Sequence, residues 1–448
     1  MMRLAVADLT AHARVWLGIL AVAVAAGFVG AIAAGLLETG IAHGGRVQEG
    51  LSSTSAAVIM FSAVTVVIVL SATANLTVSL QRRGYALWQL VGVRPVLVTV
   101  VVLTQLSIVG ALGALVGCGI AMPVFPPLFG WVFREWPDLR GVSLHLGVLS
   151  VLVVGAAITL MMLLGGLRGA RRAGRTPPIM ALRDPEPPRV RMSWLRLVFA
   201  ALLLGGAATL AANLDGRAAT LSAFAGQAIL LTPLLAAALA AAGPLVFPLV
   251  LRAWTSLLPA SVSASWFLAR HSARHRLSQS TATISPLMIA IALSGGLYTM
   301  AATLDAALVE RNGDTTSSGL APEGVVLLLG GPLLLSAVAA AATVFMSGHA
   351  REREIALVQA SGSTHGLIVL AAIWEAVIYA VTAMILGAAA TIGGGLIIAG
   401  ALALPLPIVS FDTLGVVMGG GLLLILIATV APTTSALRHE VARSLSAE

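Results

Sequence analysis

The sequence predicts an all-α integral membrane protein of about ten transmembrane helices, arranged as two parallel four-helix units plus a two-helix insert. Three observations predict it. Hydrophobic residues make up 58% of the 448 positions and charged ones only 10%, and the mean hydropathy is +1.00. A soluble domain of that length needs a far more polar surface. Apolar runs of about 20 residues recur, each long enough to cross about 30 Å of hydrocarbon. They are rich in Gly, Ala, Leu and Val and do not alternate, so they read as helices and not as barrel strands. Lastly, a short polar patch occurs twice, as "QRRGYALWQLVG" at 81–92 and "REREIALVQASG" at 351–362.

The spans fall at about 15–37, 54–79, 96–123, 145–167, 195–214, 227–251, 283–305, 324–347, 367–403 and 412–432. The first is long enough to stay as an anchor, and no cleavable signal peptide is expected before it. The ninth is long enough to tilt, or to end near Gly395 and continue as a re-entrant piece. Arginine placement sets the orientation. With both termini in the cytoplasm, the inner segments hold 21 arginines and the outer loops hold five, Arg46, Arg134, Arg140, Arg217 and Arg311. Trp16, Trp88, Trp194, Trp254 and Trp266 then form an inner aromatic belt, and Trp131 and Trp136 an outer one. This is the pattern of a multi-pass membrane protein with cytoplasmic termini.

All 26 basic residues are arginine. The absence of lysine excludes a Walker A phosphate loop and a Schiff-base mechanism. No catalytic triad, metal-ligand cluster or other cofactor motif stands out, and nothing points to nucleic acid. The chain reads as a non-enzyme without a cofactor of its own. Cys118 lies in an apolar run and reads as a packing residue.

More than the patch repeats. Aligning Gly92 with Gly362 puts Arg83 on Arg353, Leu87 on Leu357 and Gln89 on Gln359. Continuing at that spacing puts Gln105 on Glu375 and Gly117 on Gly387. Each unit closes with a Pro followed by Ala-Leu-Arg, ending at Arg183 and at Arg438. The expected division is residues 1–185 as the first unit with its patch within 81–95, 186–260 as linker and insert, and 261–448 as the second unit with its patch within 350–366. Two parallel copies imply a pseudo-two-fold axis along the membrane normal.

These residues resemble the FtsX-like/MacB-type ABC transporter permeases. The resemblance rests on "REREIALVQASGSTHGLIVLAAIWEAV" (Arg351–Val377), its weaker twin "RRGYALWQLVGVRPVLVTVVVLTQL" (Arg82–Leu106) and the two closers. It implies that Arg82, Arg83, Leu87 and Gly92, and likewise Arg351, Arg353, Glu354, Leu357 and Gly362, form coupling helices seated in a separate cytoplasmic ABC ATPase. It also implies secondary ATPase contacts near Arg183 and Arg438, with ATP and Mg held by that partner. Two ATPase subunits per chain are expected. The chain departs from the family's long members at about 38–53 and 306–323, where the loops are too short for an extracytoplasmic domain.

The expected function is the permease subunit of an ABC transporter working by mechanotransmission on an amphipathic or lipophilic substrate or antimicrobial compound. A transmembrane signalling subunit regulating a cell-wall enzyme or sensor, with an extracytoplasmic or membrane partner, and a secondary transporter stand as alternatives. Four further features are weighed. Glu375, with its neutral twin Gln105, is an intramembrane polar position; pairing inside the bundle is favoured over a transport role. His271 and His275 have i, i+4 spacing, but the arginines around them disfavour a metal ion. Gly113–Gly117 and Gly415–Gly419 are small-xxx-small patterns suited to close helix packing. The aromatics of Phe125–Arg140 suggest a short element on the outer leaflet; an interfacial loop is favoured over a lateral gate or a lipophilic-substrate contact.

Overall fold

The computed structural model describes every residue except 1–6, 11, 135, 137–138, 140–141, 176–193, 215–220, 260, 262, 276, 313–321, 361 and 437–448. Those residues form helices and no strand. In order they are α1 (Ala13–His43), α2 (Gly45–Leu80), α3 (Arg82–Leu90), α4 (Pro95–Val132), α5 (Val148–Arg175), α6 (Trp194–Asn213), α7 (Leu221–Ala228), α8 (Leu231–Ala241), α9 (Gly243–Ser256), α10 (Ala264–His275), α11 (Leu277–Asn312), α12 (Pro322–Ala360), α13 (His365–Ala401) and α14 (Phe411–Ala436).

Among the described residues, nine helical stretches are long and apolar enough to cross a membrane, one of them, Phe224–Ala241, running through α7 and α8, and α14 adds a shorter apolar stretch at Leu414–Ile427. The protein is an all-α, multi-pass membrane protein. Several helices overshoot the bilayer. The 38 residues of α4 are about 57 Å long at 1.5 Å per residue, against about 30 Å of hydrocarbon. Hydroxyls inside the spans bond their own helix, as apolar surroundings require: Thr73 donates to Val69 O at 2.8 Å, Thr343 to Ala339 O at 2.8 Å and Thr429 to Ile425 O at 2.7 Å.

The chain divides into two compact units. The first holds residues 1–188 and 326–350. In it α1 packs on α2, α4 and α5, and Leu335, Ala339 and Met346 of α12 join the same apolar core. Gly18 faces Met346 and Gly331 faces Val29 and Ser62, so small residues let α12 lie against α1 and α2. At one end of this unit Glu38 of α1 accepts from Gly147 N at 2.8 Å and from Ser150 Oγ at 2.5 Å. A carboxylate thus meets the Gly147 N–H just ahead of α5 and the Ser150 hydroxyl in its first turn, where the helix dipole favours negative charge.

The second unit holds residues 189–325 and 351–448. Here α13 packs on α11, α14 and α10, and α8 packs on α6, α11 and α13. The sixth expected span is not one helix. It breaks after Ala228 and at Ala242 into α7, α8 and α9, where Pro233, Pro244 and Pro248 each lack a donor. The ninth stretch, by contrast, is one helix to Ala401, ended by Ala403 at φ +61°.

Two expectations need correction. The stretch from Phe125 is a continuation of α4 to Val132, despite Pro123, Pro126 and Pro127 inside it. An aromatic ladder, Phe125 to Phe129 to Phe133 at 6.0 and 4.7 Å, packs that extension, and Phe125 fills the space left by Gly35. The inner aromatic belt is also not uniformly exposed: Trp16 and Trp266 are buried. Trp266 stacks between Trp254 at 6.2 Å and Trp374 at 5.4 Å, because a bundle offers an indole more apolar area than an interface does.

Candidate functional site

The first polar patch folds as α3, nine residues long and outside the apolar spans. Its Gly84 and twin arginines favour a short exposed helix over continuation of α2. One face turns inward. Gln81, Tyr85 and Ala86 are buried, Tyr85 hydroxyl bonds Gln81 Oε1, and Tyr85 meets Trp88 edge-on at 5.5 Å. Burial, and then the charge of Asp8, push the Tyr85 phenol above its ordinary range. The other face turns out. Leu87, Leu90 and Val91 are 51%, 52% and 88% exposed at i, i+3, i+4 spacing, which places them on one stripe. Sequence reading singled out Leu87 and missed Leu90 and Val91, although their spacing is visible in the sequence.

The anchor of α3 is Gln89. Its Nε2 donates to Ala173 O at 3.2 Å and to Gly174 O at 3.1 Å, the last carbonyls of α5. Gly174 sits so close to α4 that a Cβ would come 2.5 Å from Pro95 O and from Thr99 Oγ1. One glutamine therefore ties α3 to the α4–α5 pair. Arg82 is half-buried beside α5; burial, and then the like charge of Arg172, lower its pKa.

Both patches end in the same turn. Gly92 has φ +97° and Gly362 φ +92°. Gly92 N bonds Gln89 O at 3.0 Å and Val93 N bonds Trp88 O at 3.0 Å, the paired bonds of a Schellman motif. Gly362 N bonds Gln359 O at 2.9 Å, the matching bond. Only glycine takes that backbone without strain. The next helix then starts by different means: Pro95 stands at the start of α4, while Thr364 caps α13 by accepting from Leu367 N.

The backbone over Arg351, Arg353, Glu354 and Leu357 is helical, the last part of α12, which runs unbroken to Ala360. Their side chains, and that of Arg83, lie outside what the structure describes, as do Arg183 and Arg438 entirely. Gln105 and Glu375 are both buried in their own units. Gln105 Nε2 donates to Asp8 Oδ2 at 2.9 Å, and Asp8 also pairs with His12 at 3.1 Å. Glu375 Oε1 accepts from Tyr379 hydroxyl at 2.7 Å. His271 Nδ1 is bonded to Phe267 O, its own helix.

The aligned glycines match too. A Cβ on Gly117 would come 2.2 Å from Val24 O of α1, and one on Gly387 would come 2.7 Å from Ile291 of α11. Each marks where the third long helix of its repeat crosses the first. Gly415 and Gly419, in contrast, face nothing within 4 Å, so that pattern packs no helix among the described residues.

Residues 326–441 match the family model of the FtsX-like permease C-terminal domain. The chain carries an FtsX-like permease domain. No curated protein matches the chain. The FtsX-like domain takes in most of α12, the Gly362 turn, α13 and α14, and with them Arg351, Arg353, Glu354, Leu357, Gly362 and Glu375. The first patch, with Arg82 and Leu87, lies outside the matched residues. Ahead of the FtsX-like domain, Gly44 alone separates α1 from α2, so no folded domain is inserted between them.

Proposed function

We propose that this chain is the permease subunit of a bacterial ABC transporter, driven by mechanotransmission from a separate cytoplasmic ATPase. The observation that carries the reading is α3: a short helix outside the spans, held by Gln89 to the end of α5 and presenting Leu87, Leu90 and Val91 to solvent. FtsX-like permeases pair with ABC ATPases, and such a stripe is what a groove on a partner can grip. A push on α3 passes to α5 through Gln89 and to α4 through the Gly92 turn. The second patch, with Arg351, Arg353, Glu354 and Leu357 before the Gly362 turn, does the same for α13. ATP and Mg belong to the ATPase, since a chain without lysine supplies no Walker A loop.

The cargo is amphipathic or lipophilic and enters from the bilayer, because the direct α1–α2 junction leaves no room there for a capture domain. Export fits this cargo. The test is co-purification with a co-expressed ABC ATPase. Reversing Arg351, Arg353 and Glu354 together, or Leu87→Asp with Leu90→Asp, should abolish capture of the ATPase and stimulation of its hydrolysis while the permease still elutes as a folded species. Wild-type capture and stimulation in both variants would overturn the proposal.

A further inference from the structure

The α9–α10 hairpin gathers three guanidinium groups and no acid. Arg274 donates through Nη2 to Thr255 Oγ1 at 2.8 Å and to Arg252 O at 3.2 Å, and through Nε to Thr255 Oγ1 at 3.2 Å. Arg270 Nη1 donates to Leu258 O at 3.3 Å. Two of the three therefore sit on the carbonyl end of α9, where the helix dipole contributes about half a negative charge. That is too little for three cations. Among the described residues none of the three has an ion pair, Arg270 Nε is buried with no hydrogen-bond partner, and the Arg252 guanidinium is exposed. Burial, and then the like charges of Arg270 and Arg252, lower the Arg274 pKa.

The surroundings of the cluster are apolar. Leu258, whose carbonyl Arg270 meets, and its neighbour Leu257 are exposed, and so is Phe267 one turn before Arg270 on α10. Beneath lies the cluster of Trp254, Trp266 and Trp374. Trp374 is nine residues into α13, about 14 Å from the helix start. The 37 residues of α13 overshoot about 30 Å of hydrocarbon, so a level about 14 Å from the helix start falls in the headgroup region of a bilayer.

We propose that Arg252, Arg270 and Arg274 form a site for the phosphate headgroup of an anionic phospholipid, with Leu257, Leu258 and Phe267 against its acyl chains. Basic pockets flanked by apolar side chains at the headgroup level suit such lipids. A phosphate offers the three guanidiniums the acceptor oxygens they lack. The bound lipid would fasten α10 to α9 and so hold the start of the second repeat.

The test is native mass spectrometry of the full chain in detergent, titrated with phosphatidylglycerol and with phosphatidylcholine. The wild type should retain phosphatidylglycerol in preference. Arg252→Gln, a change at a side chain with no hydrogen bond or ion pair among the described residues, should lower that preference about fivefold, and Arg252→Gln with Arg270→Gln and Arg274→Gln should abolish it. Arg46→Gln, on α2, should leave it unchanged. Unaltered preference in Arg252→Gln would overturn the proposal. So would displacement of phosphatidylglycerol by millimolar inorganic phosphate, which would mark a site for free anions. Loss of ATPase capture in Arg252→Gln with lipid preference intact would assign the cluster to a protein partner instead.

Discussion

Gln89 holds Gly174: the side-chain amide of a nine-residue helix outside the membrane spans caps the end of a helix that crosses the membrane, at 3.1 Å. A second bond from the same nitrogen reaches Ala173 O. Gln89→Ala removes both and leaves two helix-end carbonyls to water. The stability cost should be small, about 1 kcal/mol. The coupling cost should be large, because α3 then rests on the Gly92 turn and its apolar face alone. ATPase capture should survive while substrate-linked turnover falls several-fold. Turnover at the wild-type level would show that the Gln89 bonds take no part in coupling. Gln359, aligned with Gln89, is the corresponding position in the second repeat, and Gln359→Ala should act likewise.

The two turn glycines separate backbone strain from packing. Nothing lies within 4 Å of a Cβ built on Gly92 or on Gly362. Alanine there meets only the left-handed backbone, about 1–2 kcal/mol each. Gly117→Ala drives a Cβ to 2.2 Å from a backbone oxygen of α1, and the helices must part. Its cost should exceed that of either turn variant, in the range of about 1–3 kcal/mol or more expected of overpacking. Thermal unfolding in detergent should rank the turn variants above Gly117→Ala.

Tyr85 gives a pH signature. Its phenol is an acid raised above its usual value of about 10. A raised acid contributes stability that is fully present below about pH 10 and is lost as pH climbs towards the folded value. Tyr85→Phe loses the bond to Gln81, costing about 1 kcal/mol at neutral pH, but has no phenol to ionise. The gap between wild type and variant should therefore narrow above about pH 10 in unfolding scans. A gap that widens with pH would contradict the buried, neutral phenol.

Stoichiometry follows from the repeat. Each of the two patches ends in a left-handed glycine, and the two differ in sequence, "RRGY" against "RERE". One chain should bind two ATPase subunits with unequal strength. Native mass spectrometry of the co-expressed complex should show one copy of this chain and two ATPases. A stable assembly with two copies of this chain would defeat that reading.

What the sequence determined is what local chemistry controls. Hydropathy placed the long helices, since a run of about 20 apolar residues has one stable form in lipid. The alignment of Gly92 with Gly362 and of Gly117 with Gly387 picked out the turns and the crossings, because both demand a residue without Cβ. The tertiary structure decided which groups find each other across the chain. That Gln89 caps Gly174, 85 residues away, leaves no trace in the glutamine's neighbours. That Leu335 and Met346 of α12 join the core of the first unit depends on small residues at Gly18 and Gly331, far apart in sequence. Trp266 reads as an interface residue until its indole is seen between Trp254 and Trp374. The break of the sixth span was legible in Pro233, Pro244 and Pro248, yet hydropathy alone carried the reading through them. Periodicity reports how a segment meets its solvent; only the fold reports which segment replaces that solvent.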